Sequence, residues 1–577
     1  MSGSRRILVL GDDTRSFLAT IRSLGAAGLD VHAAPFKFRA PALASKFIGK
    51  IHRLPYYLGD GREWLDAVSR LLRENRFDLV IPCDERALIP LHRHRESLSQ
   101  HSRLAIPDAR AFETLFDKHN TRTLATALGI PVAPGGLIDA TVAPSDLAAK
   151  AGFPLAIKPR ASYTLDRLYS RNRVEIVFDM QELSHVLASA PGGGACFFEA
   201  FFAGTGVGLS VLANRGRILQ AFQHRREREL HGSSYYRVSS EISPPLLDAA
   251  AKLAAELSYT GIAMLEFRVD TGTGDWILLE VNARPWGSLP LPTALGIDFP
   301  YRWYRLLVDN VETPARPYPI GMYGRNLVPD ARQVLLQARS MGPDIRNRLR
   351  FWFRTMKEYS RILVGRELYD VLKPHDPQPG FRELAEELGA LSRGVAERLP
   401  GYAASMRFRD RRRLRRALGR PEKRERDVVL VCQGNICRSP FAASLLRKRL
   451  RGIPRLRVLS AGNLPRENAA SPVAAIDAAR GYGVDLRQRR STHFSAGMAK
   501  NAALVVIFDQ TNRRWIEERY PSLAARVVML GSFTQRPSSN PIIRDPDGGD
   551  AAQFQQVYSE IEKAVAGLAQ TIRRAVR

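Results

Sequence analysis

Ten residues beginning at Val431, VCQGNICRSP, constrain the fold of this chain more than any other stretch. A cysteine and an arginine with five residues between them, then Ser-Pro, link an apolar run, DVVLV, to a helix-forming run, RSPFAASLLRKRL. That order predicts strand, loop and helix. A loop so placed aims its backbone N–H groups at the positive end of the helix and forms an anion site. The same field stabilises a thiolate. Cys432 is therefore the candidate nucleophile toward a phosphate monoester, and Arg438 offers a planar fork to the equatorial oxygens. Ser439 hydrogen-bonds the thiolate and helps its departure, and Asn435 braces the loop from inside. Gln433, Gly434, Ile436 and Cys437 complete the phosphate-binding loop, with Gly434 permitting the tight backbone. Asp545-Pro546, in NPIIRDPDGGD, is either a carboxylic acid for the leaving group or an ordinary Asp-Pro turn.

The motif begins at residue 431 of 577, so most of the chain precedes it. At roughly 150 residues per domain, three or four domains are expected. Apolar content of 45% and charged content of 25% are those of a soluble globular protein. No stretch approaches the roughly 20 apolar residues that span a bilayer. The opening MSGSRRILVLGDD reads as a first strand and its turn, not as a leader. Cys83, Cys196, Cys432 and Cys437 are too few and scattered for a disulfide framework, which predicts a reducing, cytoplasmic setting.

The net charge of +28 is partly local. Between Arg407 and Arg426 stand eleven basic residues against three acidic ones. This run, 407–426, reads as a solvated linker or as a weak contact for anionic lipid or another polyanion. It lacks interleaved aromatics and any nucleic-acid fold motif, so no nucleic-acid partner is expected.

Residues 5–110 alternate strand-like and helix-like segments, which predicts a parallel α/β sheet. No G-x-G-x-x-G follows the first strand, so a dinucleotide site is not supported. Further on, GIAMLEFRVD and WILLEVNARPWGSL read as two strands paired across TGTGD. Glu280 and Asn282 lie two apart on one strand and face the same way. The paired strand brings Glu266 alongside, giving an all-oxygen cluster suited to Mg²⁺, or Mn²⁺, shared with nucleotide phosphates. Two carboxylates facing water at a sheet edge are the plainer alternative. Arg225, Arg226 and Arg228 in QHRREREL are candidates for an acidic substrate, or a solvated strand face.

In order along the chain, DKHNTRTLATALGIPV, LAIKPR, FFEAFFAGTGVGLSVL, MLEF and LLEVNARPWGSL resemble an ATP-grasp domain of the carboxylate–amine ligase branch, covering residues 1 to about 310. The resemblance implies that Lys118 and Lys158 contact ATP phosphates and that Glu199 lies where adenine and ribose bind. It also implies that Arg284 steadies phosphate or acyl-phosphate, and that Glu266, Glu280 and Asn282 hold magnesium. The segment PRASYTLDRLYSRN departs from the family in lacking its glycine-rich phosphate-covering loop.

Residues 427–577 closely resemble a low-molecular-weight protein tyrosine phosphatase, through VCQGNICRSP, SAG at 460–462, GVDLRQRRST, LVVIFDQTN and the late Asp-Pro. The family implies that Cys437 pairs with the nucleophile and protects it from over-oxidation. Asp547 stands where an aromatic commonly follows Asp-Pro, and no tryptophan follows SAG, so a small or sugar phosphate competes with phosphotyrosine as the expected substrate.

The expected fold class is α/β multidomain. It comprises an N-terminal α/β lobe (1–110), an ATP-grasp α+β fold (111–310), a helical extension and basic linker (311–425), and an α/β phosphatase with a central parallel sheet (426–577). Expected partners are a small carboxylate, an amine and a phosphomonoester or phosphotyrosine substrate. The expected function is an ATP-dependent ligase joined to a cysteine phosphatase in one biosynthetic pathway. A phosphotyrosine phosphatase regulating a partner kinase, with the ATP-grasp half as ligase or as an ATP-binding module, is the second reading.

Overall fold

The computed structural model describes residues 5–139, 142–169, 171–189, 195–230, 232–342, 344–396, 401–419, 425–534 and 541–576. Of the basic run, Arg420, Glu422, Lys423 and Arg424 lie outside the described residues, as does Asn540 of the late Asp-Pro segment. The chain divides into two compact units: Met1–Pro55 with Glu63–Glu387, and Tyr56–Arg62 with Leu388–Arg577.

The first unit opens with five strands, β1 (Arg6–Leu10), β2 (Asp30–Ala34), β3 (Ile48–Ile51), β4 (Leu79–Pro82) and β5 (Arg103–Leu104). They form a parallel sheet in the order β3-β2-β1-β4-β5. β1 and β4 are near-continuous apolar runs because both faces of such a sheet are covered. Strand order reverses between β1 and β4, and the crevice beyond their carboxyl ends is where sheets of this kind bind ligands.

A second, antiparallel sheet of order β6-β9-β7-β8 follows, from β6 (Gly135–Leu137), β7 (Leu155–Pro159), β8 (Glu175–Val177) and β9 (Cys196–Ala200). A third sheet holds β10 (Thr205–Asn214), β11 (Arg217–Leu230), β12 (Ser233–Ser240), β13 (Gly261–Val269), β14 (Trp276–Asn282), β15 (Tyr323–Arg325) and β16 (Glu367–Tyr369), in the order β14-β13-β10-β11-β12-β15-β16. β13 and β14 pair antiparallel with Glu266 directly opposite Glu280 and Met264 opposite Asn282.

The stretch 311–425, expected to be a helical extension and linker, is divided between the two units. β15 and β16 complete the third sheet. They are held by a buried charge network: Arg325 grips Glu367 with 2.6 and 2.8 Å bonds and also pairs with Asp330. Arg237 of β12 forms a two-pronged pair with Asp370 at 2.7 and 3.0 Å.

The basic run is not a solvated linker where it is described. Tyr402–Leu418 is a helix that buries Met406, Asp410, Leu414 and Leu418, one stripe at four-residue spacing. Leu414 and Leu418 join the core beneath the phosphate loop. The Asp410 carboxylate accepts from the Met529 backbone N–H at 3.0 Å and the Ser532 hydroxyl at 2.7 Å. The arginine density of the run obscures this sparse stripe.

The second unit carries a parallel sheet of β17 (Arg426–Cys432), β18 (Leu456–Gly462), β19 (Ala502–Ile507) and β20 (Val527–Met529) in the order β18-β17-β19-β20. β17 is buried along its whole length and ends on Cys432.

Candidate active sites

At the end of β17 the chain turns through residues 432–437 into the helix Arg438–Arg449. Asn435 sits at φ +54°, in the left-handed region that asparagine tolerates better than most residues. That turn points its backbone N–H at Cys432 Sγ, 3.3 Å away. The Ser439 hydroxyl lies 3.0 Å from the same sulfur. Asn435 Nδ2 donates to Ser439 Oγ at 2.8 Å, and Asn435 Oδ1 accepts from the Thr492 backbone N–H at 2.9 Å. The side chain thus ties the loop to the segment that runs beside the end of β18. Gly462, the last residue of SAG, lies against this backbone: a Cβ there would stand 3.0 Å from Gln433 O and 3.1 Å from Asn435 N. Gly434 leaves room beside Ile436 at the loop's turn.

Arg438 is buried and reaches across the loop. One terminal nitrogen donates to Asp509 Oδ2 at 2.8 Å and to Ile543 O at 3.1 Å, and the other pairs with Asp545. Asp545, the expected acid, is therefore at the site. Burial lifts its carboxyl above its ordinary range, against the pull of Arg438. Cys437 is the remaining loop thiol; burial, then the charges of Asp547 and Asp545, push it well up. Its Sγ lies 3.9 Å from Asp547 Oδ1, which places Asp547 on the rim. Asp509 is the residue that sequence reasoning missed. It caps the helix Gln510–Arg519, and its own signal was its place in LVVIFDQTN at the end of a central strand.

In the first unit, Asn282 Nδ2 donates to Glu266 Oε1 at 3.1 Å and to Glu280 Oε1 at 3.2 Å. The three expected ligands therefore meet. Lys118 Nζ stands 3.4 Å from Glu280 Oε2, and Arg226 Nη2 is 2.5 Å from Glu266 Oε2. Burial opposes ionisation of Glu280, but Lys118, the Asn282 amide, Arg171 and Arg284 outweigh it and hold its carboxyl at about 2. Burial pushes Glu266 up, against the pull of Arg226. Two half-buried carboxylates that need positive charge beside them are a donor set fitted to a hard divalent cation. Rotating the Asn282 amide would add a third oxygen.

Lys158 of β7 pairs with Glu199 of β9, which also accepts from Arg122 at 3.1 Å. Glu199 is thus a buried anchor for two cations. The three arginines of β11 separate. Arg226 joins the Glu266 cluster, and Arg225 pairs with its neighbour Glu227 at 2.9 Å on the surface. Arg228 pairs with Asp330 at 2.8 Å and with Glu358, so it is engaged inside the fold and not presented as a free anion site.

Arg284 donates to Glu85 Oε1 at 2.9 Å. Glu85 begins the helix Glu85–Arg93 that follows β4, at the reversal of strand order. There Arg86 pairs with Asp84 at 2.6 Å and with Asp12, which follows β1, at 3.0 Å. Arg86 also covers the Phe36 ring, 4.4 Å from its centroid. Asp12, Asp84, Glu85 and Arg86 were not picked out from the sequence. The available signal was acidic residues directly after two central parallel strands.

Together these features give a Cys432–Arg438 loop between a strand end and a helix start in one unit, and a Glu266–Glu280–Asn282 cluster ringed by cations in the other. Residues 427–577 match the family described as low molecular weight phosphotyrosine protein phosphatase. Residues 199–323 match the family described as ATP-grasp in the biosynthetic pathway with Ter operon. Low molecular weight protein-tyrosine phosphatase A of Mycobacterium tuberculosis is 37% identical over 150 residues, covering 24% of this chain and 88% of that protein. The low molecular weight protein-tyrosine-phosphatase Etp of Escherichia coli is 29% identical over 147 residues, covering 26% of this chain and 95% of that protein. Among solved structures, the L-amino acid ligase from Bacillus licheniformis aligns at 18% identity and a TM-score of 0.42, covering 54% of this chain and 78% of that one. Through its last 151 residues the chain belongs to the low molecular weight protein-tyrosine phosphatase family, here joined to an ATP-grasp part.

Proposed function

We propose that the chain is a bifunctional enzyme, an ATP-dependent carboxylate–amine ligase joined to a phosphomonoesterase of the same biosynthetic pathway. Two phosphate-handling clusters in one chain support this reading, the Glu266–Glu280–Asn282 set and the Cys432 loop. Lys118 and Lys158 bind the ATP phosphates, and Arg284 steadies the transferred group. Magnesium held by Glu266, Glu280 and Asn282 would neutralise charge on the phosphate oxygens. A substrate carboxylate attacks the γ-phosphorus, the bond to the bridging oxygen breaks, and ADP leaves. An amine then attacks the acyl carbon and inorganic phosphate departs. Both steps build negative charge that fixed cations stabilise.

In the second unit Cys432 attacks phosphorus as the thiolate, supported by the Asn435 N–H and the Ser439 hydroxyl. Arg438 holds the equatorial oxygens. Asp545 protonates the leaving oxygen, then takes a proton from the water that cleaves the thiophosphate. A carboxyl raised above its usual range suits the first role. Asp547 on the rim, where an aromatic is common in the family, favours a polar phosphate ester over phosphotyrosine. Covalent linkage raises the effective concentration of one site's product at the other, to about millimolar for short flexible connections.

Incubating the Cys432→Ser protein with ATP, Mg²⁺ and a metabolite pool tests this. Mass spectrometry should find an ATP-dependent condensation product that still carries phosphate, absent with the further change Glu280→Ala. The names of the curated relatives favour a second reading, phosphotyrosine in a protein. If no condensation product forms and a phosphotyrosine protein is trapped instead, that reading replaces the first.

A further inference from the structure

The helix Ile345–Tyr359 follows the third sheet and belongs to the first unit. At about 100° per residue its side chains divide into three arcs. Phe351, Thr355, Glu358 and Tyr359 face inward. Glu358 pairs with Arg228, and Tyr359 donates its hydroxyl to Asp330 Oδ2 at 3.0 Å while lying under Arg325, 4.0 Å from the ring centroid. This face holds the helix to the protein.

The next arc, about 100° wide, is apolar and open. Ile345, Leu349, Trp352, Phe353 and Met356 are 69%, 66%, 39%, 74% and 71% exposed. Leu363 and Val364, just past the helix end, are also exposed. An open apolar patch on the order of several hundred Å² marks an interaction surface. The third arc is basic and carries Arg346, Arg350, Arg354 and Lys357, all exposed. Among the described residues, Arg346, Arg350 and Lys357 have no acidic partner. The only acidic side chain within the helix, Glu358, is on the inward arc.

We propose that this helix seats the protein on an anionic membrane surface, with its apolar arc among the acyl chains and its basic arc on the phosphate headgroups. A helix with aromatic and aliphatic residues on one side and arginine and lysine beside them lies in the bilayer interface. Each basic residue near an anionic surface adds to the attraction. A second copy of the chain fits worse, because pairing the apolar arcs brings two basic arcs together. No helix among the described residues is long and apolar enough to cross a membrane, so the contact is peripheral.

Vesicle co-sedimentation of the full chain tests this, with phosphatidylcholine alone against phosphatidylcholine with phosphatidylglycerol. Binding should require the anionic lipid and weaken as salt is raised. The double change Leu349→Glu and Phe353→Glu should cut it by about tenfold or more, with circular dichroism and the melting profile unchanged. Arg411→Glu with Arg412→Glu, on the helix Tyr402–Leu418, should leave most of it. Three results would overturn the proposal: no binding, equal binding to neutral vesicles, or loss only with the Arg411 and Arg412 changes. So would sedimentation showing a dimer, or an acidic protein complex, that the Leu349 and Phe353 changes dissolve without altering vesicle binding.

Discussion

Asp545 and Asp509 share one arginine, yet they do different work. In the proposed role Asp545 must be protonated to serve the leaving group, so hydrolysis should fall as pH rises through its pKa. Because burial raises that pKa, the alkaline limb should lie above the ordinary carboxylate range. Asp545→Asn should remove this limb and lower turnover on an aryl phosphate by about 10²–10⁴-fold; a pH–rate profile reads both. Asp509 caps its own helix through the Asn512 backbone N–H and holds Arg438, and so positions it. Asp509→Asn should weaken binding of vanadate and lower kcat/KM by about 10–100-fold, with the alkaline limb kept. Glu383 accepts from Thr14 at 3.0 Å, and burial pushes its carboxyl up to about 7. Its folded value lies above the ordinary 4.5, so its contribution to stability is fully present below that and is lost as pH rises through about 7. Glu383→Gln should flatten that loss, worth at most about 3 kcal/mol before solvent screening, in denaturant melts of the first unit at pH 5 and pH 8 (values chosen about either side of the transition).

Among elements, β15 and β16 show how charge substitutes for a large apolar core. Each is three residues long, too short to hold its place by strand pairing alone. Arg325 sits fully buried between Asp330 and Glu367, with Tyr236 and Tyr359 on its faces at 3.9 and 4.0 Å. Arg325→Ala leaves Glu367 buried without its cation and Asp330 with Arg228 alone, and should cost about 3–5 kcal/mol, read as a fall in the denaturation midpoint. The same network engages Arg228 and Glu358, which explains why Arg228 turns into the fold and why the helix Ile345–Tyr359 is fixed with its apolar arc outward.

For the whole molecule, the two units have separate hydrophobic cores. A ligand that binds only the folded form stabilises its own unit by mass action, about 2.7 kcal/mol at a hundred times its Kd. Calorimetry should therefore show Mg-ATP raising one unfolding transition and vanadate raising another. A single transition shifted equally by both would refute independent sites.

The strand–loop–helix around Cys432 was legible from spacing because its chemistry is made by neighbours in sequence: Cys432, Asn435, Arg438 and Ser439 fall within eight residues. Glu280 and Asn282 were legible for the same reason, since strand periodicity alone puts them on one face. Tertiary structure alone decided who meets them. Asp509 reaches Arg438 across 71 positions, and Glu85 reaches Arg284 across 199. Arg226 was drawn to Glu266 by strand order, while Arg228, two residues on, was drawn the other way. The helix Tyr402–Leu418 was hidden because four inward residues among many arginines give little pattern until a core exists to receive them. Local periodicity is written in consecutive residues. Long-range ion pairing depends on which sheet edges and helix faces come together, and that is settled only when the chain has folded.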